Sequence, residues 1–84
     1  MYKELIKNWI PNLTPIMIKD YARKIGTNLT DSEVTILYNF IKKNYIEILD
    51  GNETSLISLK QQLNPTLYKK VIALYQENKQ KYLN

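Results

Sequence analysis

An all-α fold, a compact bundle of about five short helices, is what this sequence of 84 residues predicts, and three observations predict it. Apolar residues recur at spacings of three and four rather than in alternation, the pattern of a helix face and not of a half-buried strand. The two Gly and three Pro fall between those stretches and not within them. Two of the Pro directly follow a Thr or an Asn, side chains that accept from the free N–H groups at a helix start.

The first helix takes Tyr2, Leu5, Ile6 and Trp9 onto one face and stops before Pro11, because the residue ahead of a proline is pushed out of the helical region. Thr14-Pro15 opens the second, with Ile18, Tyr21, Ala22 and Ile25 as its apolar stripe and Gly26 as the left-handed residue that closes it. Thr30-Asp31-Ser32-Glu33 is a capping box, in which the Thr hydroxyl and the Glu carboxylate each satisfy a backbone N–H. The third helix then buries Val34, Leu37, Tyr38 and Ile41 and is expected to end near Asn44. Tyr45–Leu49, rich in β-branched and aromatic residues, is expected as a short extended or irregular connector, since one strand has no partner with which to form a sheet. Asp50-Gly51-Asn52 reads as a turn. A fourth helix over about 53–62 presents Leu56, Leu59 and Leu63, and Asn64-Pro65 opens a fifth lined by Leu67, Val71, Leu74, Tyr75 and Tyr82. No repeat or linker interrupts residues 1–84, which are expected to form a single small domain.

Composition removes most chemistries. With no Cys and no His, the chain has no thiolate nucleophile, no imidazole base and no Cys/His zinc site. Glu47, Asp50 and Glu53 lack the alternating oxygen ligands of a calcium loop, and no Gly-rich phosphate loop exists. Asp31 and Glu33 are accounted for by the helix they open. The expectation is therefore a protein that is not an enzyme and carries neither cofactor nor metal. Lys3 and Glu4 interrupt the apolar start, so it does not read as a signal peptide, and no apolar run is long enough to cross a bilayer. A cytoplasmic location without membrane contact is expected.

At Leu13-Thr14-Pro15, Tyr21-Ala22, Lys24, Gly26, Leu29-Thr30 and Asn64-Pro65-Thr66 the chain resembles the YqfT-like small proteins of Bacillus and related Gram-positive bacteria, a domain of unknown function. The likeness spans roughly Trp9 to Tyr75, with Leu67 standing where that family usually has a small residue and a central segment that is only loosely similar. It implies a helical fold and a cytosolic setting and carries no catalytic residues.

Charge divides the chain in three. Residues 1–29 hold five cations against two acids, residues 30–59 two against five, and residues 60–84 five against one. Eleven of the twelve cations are Lys, which binds phosphate as a point charge but does not read guanine edges as bidentate Arg does, so sequence-specific DNA recognition is poorly supported. Ile18–Phe40 fails as a helix-turn-helix because Ser32 and Thr35 stand where that motif needs apolar residues. The seven Tyr are more distinctive: Tyr21, Tyr38 and Tyr75 fall on helix stripes, whereas Tyr2, Tyr45, Tyr68 and Tyr82 are less explained by packing. Trp9 lies on a helix too short to persist alone, so it must pack on the domain or on a second copy. The sequence thus predicts a small protein-interaction module that meets a protein partner or a homodimer mate through Trp9, Tyr68 and Tyr82. The alternative is a weak, largely non-specific nucleic-acid binder using Lys69, Lys70 and Lys79.

Overall fold

The computed structural model describes residues 2–82, with side chains for residues 3–81. Its elements are α1 (Tyr2–Trp9), a 3₁₀ turn at Ile10–Asn12, α2 (Pro15–Lys24), α3 (Asp31–Leu49), α4 (Ser55–Lys60) and α5 (Pro65–Tyr82), with no strand among the described residues. Capping chemistry sets the starts. The Thr14 hydroxyl accepts from the Met17 N–H at 3.3 Å, the Thr30–Glu33 box is complete at 3.1 and 2.9 Å, and Asn64 Oδ1 accepts from the Leu67 N–H at 2.8 Å. Glu33 also reaches outside its own helix, its second carboxylate oxygen accepting from Asn64 Nδ2 at 3.3 Å, so one side chain ties the starts of α3 and α5.

Both glycines stop helices in the same way. Gly26 and Gly51 have φ of 83° and 97°, and the following N–H groups of Thr27 and Asn52 donate to the carbonyls of Ala22 and Glu47 at 2.8 and 2.9 Å. This is the left-handed Schellman close, and it corrects one expectation. Tyr45–Leu49 is not an extended connector but the last turns of α3, which runs unbroken for 19 residues. Asn44 does not terminate the helix; its amide donates back to the Phe40 carbonyl at 3.0 Å, a bond made inside a continuing helix. Buried Leu49 explains the continuation, since the apolar spacing of Leu37, Ile41, Tyr45 and Ile48 carries on to it. The fourth helix is shorter than expected, its ends being turns on either side of Ser55–Lys60.

The core joins α2, α3, α4 and α5 through Ala22, Leu29, Val34, Leu37, Leu59, Leu63 and Leu67, with Ile18, Ile36, Phe40, Tyr68 and Val71 packed against it. Leu59 of the short α4 is 0% exposed and sits at the centre. The N-terminal segment is fastened separately. Ile10 and Leu13 are buried, and Lys42 of α3 donates to the Ile10 and Pro11 carbonyls at 3.2 and 2.9 Å while lying 5.6 Å from the Tyr38 ring centre. Lys7 of α1 reaches Asp50 at 3.4 Å. The face expected for α1 is only partly covered: Ile6 is half-buried, but Leu5 and Trp9 are exposed, because among the described residues the eight-residue helix makes extended contact only with α3 and the 3₁₀ turn.

Candidate functional site

The stripe of α2 is longer than the surface that covers it. Ala22 is buried and Ile18 packs on the core, yet Tyr21 and Ile25 of the same stripe are 52% and 43% exposed. Helix α2 packs on α3, and α5 packs on α4; among the described residues α2 and α5 share no extended contact. Between them lies a groove of about 650 Å³. Its floor is the core itself, with the buried Leu29, Leu37 and Leu67 in its lining, and Trp9, 49% exposed, lines it from the end of α1. Lining side chains are almost wholly apolar. The charged ones are Asp20 and Lys24 on α2 and Lys70 on α5.

Those three charges are not equivalent. Asp20 is paired with Arg23 one turn on, at 3.8 Å. Neither Lys24 nor Lys70 takes part in an ion pair among the described residues. The groove therefore presents a deep apolar bed with one uncompensated cation on each long wall. Its size falls in the range of ordinary ligand and peptide sites, and large apolar side chains gathered around such an opening mark a contact surface more often than isolated ones do.

The residues singled out from the sequence are distributed unevenly around this groove. Trp9 and Lys70 line it; Lys24, Tyr21 and Ile25, which sequence reasoning did not select, line it too. Tyr68 does not. It is half-buried against the core, and its hydroxyl donates to the Leu56 carbonyl at 3.2 Å. The Tyr82 side chain lies outside the described residues. Lys69 is exposed beside Lys70, but Lys79 is engaged elsewhere, 3.0 Å from Glu53. Glu53 also accepts from the Tyr75 hydroxyl, and these two donors, Tyr75 first, hold its carboxyl below the ordinary carboxylate range. Burial, and then the bond to Glu53, push the Tyr75 hydroxyl upward in turn. This trio straps the segment ahead of α4 to α5 and takes Lys79 out of any patch with Lys69 and Lys70.

A second, smaller hollow lies between α3 and the end of α4, lined by polar side chains including Asn39, Lys43, Ser58 and Gln62. Among the described residues no three carboxylates converge as a metal site would require, and no helix is long and apolar enough to cross a membrane. No protein-family model, curated protein or solved structure matches this chain.

Proposed function

We propose that this chain is a small, non-catalytic protein-interaction module of the YqfT-like kind, acting in the cytoplasm, and that its contact surface is the groove between α2 and α5. The observation that carries this reading is the uncovered half of the α2 stripe: Tyr21 and Ile25 stand exposed around an apolar bed that Trp9 also lines. Leaving such surface in water is unfavourable by about 25 cal/mol per Å², which a partner covering it recovers. Trp and Tyr are also the residues that dominate binding energy at protein contacts. Nucleic-acid binding has less support, because Lys79 is held by Glu53 and the remaining neighbours on α5, Lys69 and Lys70, are a small charge group for phosphate binding.

The reading is tested by co-purification from the native cell, comparing the wild-type chain with an Ile25→Asp, Tyr21→Asp double variant. Both positions are exposed, and circular dichroism checks that the variant keeps its helices. Proteins retained by the wild type at about 0.5 M salt, where surface charge contacts are screened, and lost with the double variant are the expected result. Identical retained sets would refute the proposal, and a mobility shift of DNA or RNA that weakens steeply between about 50 and 200 mM salt would replace it with the nucleic-acid reading.

A further inference from the structure

Resting on the reading of the groove as a contact surface, we infer that its occupant is an amphipathic helix of a partner protein, with an aliphatic stripe for the bed and carboxylates on both flanks of that stripe. The walls supply the shape. Helix α2 is 10 residues, about 15 Å long, and lines the groove from Met17 to Lys24, while α5 lines it from Leu67 to Leu74, so the slot offers room for roughly two to three turns of another helix. A helix also has the breadth to cover Trp9, Tyr21 and Ile25 on the rim together, which a single acyl chain lying on the bed would leave in water. Recognition of this kind places apolar anchors at i, i+3 or i+4, and i+7 into the groove.

Charge supplies the rest of the specification. Lys24 comes from one wall and Lys70 from the other, each exposed and each without an acidic partner among the described residues. A helix entering between them meets a cation on either side, the Asp20 carboxylate of the α2 wall being paired with Arg23 at 3.8 Å, so acidic residues on both flanks are favoured over basic ones. Complementarity of this sort selects partners and speeds encounter more than it adds raw affinity. A second copy of the chain fits less well: α2, the N-terminal segment and α5 are themselves rich in Lys, and the acids of the central region are partly engaged, Asp50 with Lys7 and Glu53 with Lys79.

Trp9 is the single tryptophan and lines the groove, so its fluorescence reports occupancy directly. The probes are two synthetic peptides of about 15 residues with the same leucine stripe at i, i+3, i+7 and i+10, one flanked by Glu and one by Lys. The Glu-flanked peptide is expected to shift Trp9 emission to the blue with saturation, and the Lys-flanked one to bind at least about tenfold more weakly. In a Lys24→Glu, Lys70→Glu double variant, whose folding circular dichroism checks, that preference reverses. Equal binding of both peptides, or unchanged preference in the double variant, overturns the inference while leaving the contact-surface reading standing if the co-purification result holds. No shift with either peptide also overturns it, as does a blue shift produced by raising the protein concentration alone, which would make a second copy the occupant.

Discussion

Leu59 and Ile57 lie two residues apart in the same six-residue helix, and the structure assigns them opposite consequences on truncation. Leu59 is 0% exposed at the meeting point of the core, whereas Ile57 is 64% exposed. Replacing Leu59 with Ala removes three buried carbons, about 2.4 kcal/mol at roughly 0.8 kcal/mol per methylene. The cavity left behind raises the total to about 3 kcal/mol. A chain of this length has a stability of only roughly 4–13 kcal/mol, so the loss is a large fraction of it. Urea unfolding followed by circular dichroism, with Trp9 fluorescence as a second probe of two-state behaviour, measures it. With a slope near 1 kcal/mol per M, the midpoint falls by about 3 M. Ile57→Ala should change stability by less than about 0.5 kcal/mol, because Ala is the better helix former and nothing covers the side chain. A Leu59→Ala loss under about 1 kcal/mol, or equal losses at the two positions, would refute the placement of α4 in the core.

Four further outcomes are expected. Lys42→Met removes the donor to the Ile10 and Pro11 carbonyls and should destabilise by about 1 kcal/mol, the side chain being partly exposed, with hydrogen exchange rising in residues 2–12 and not in α5. Gly26→Ala and Gly51→Ala meet open space, so each should lose only the backbone strain of a positive φ, about 1 kcal/mol, and Asn at either site should cost less. The folded pKa of Glu53 lies below its ordinary 4.5, so its contribution is complete above that pH and is lost as pH falls through the lowered value. The stability gap between wild type and Glu53→Gln, held below about 1 kcal/mol by solvent screening because the carboxylate is still about a third exposed, should therefore close in acid-urea titrations. Glu33→Ala should cost more than an ordinary cap, about 1–2 kcal/mol by thermal unfolding, because it unties the starts of both α3 and α5.

What the sequence revealed and what it hid divide along the range of the interactions. Thr14-Pro15, Thr30 with Glu33, Asn64-Pro65 and Gly26 act within four or five residues of themselves, and each marks an end of a helix as expected. Tyr45–Leu49 was misleading because β-branched residues there suggest extension, while the deciding signals lay on either side: the unbroken apolar spacing to Leu49 and Gly51, which closes α3 as Gly26 closes α2. Tyr21 and Ile25 carry no local mark of their exposure. On the sequence they belong to a buried stripe, and only the separation of α2 from α5 leaves them uncovered. For the same reason Lys24 and Lys70 become groove residues through the fold alone, whereas Lys79 is withdrawn by Glu53, which lies 26 residues away.

Leu29, Leu37 and Leu67 serve at once as the interior of the domain and as the bed of its groove. For the proposed partner, docking and folding would be linked equilibria: a ligand at one hundred times its dissociation constant would add about 2.7 kcal/mol to the native state. On the proposed reading, the lifetime of the polypeptide in the cell would rise and fall with the supply of that partner, and a copy without it would be the preferred target of proteolysis.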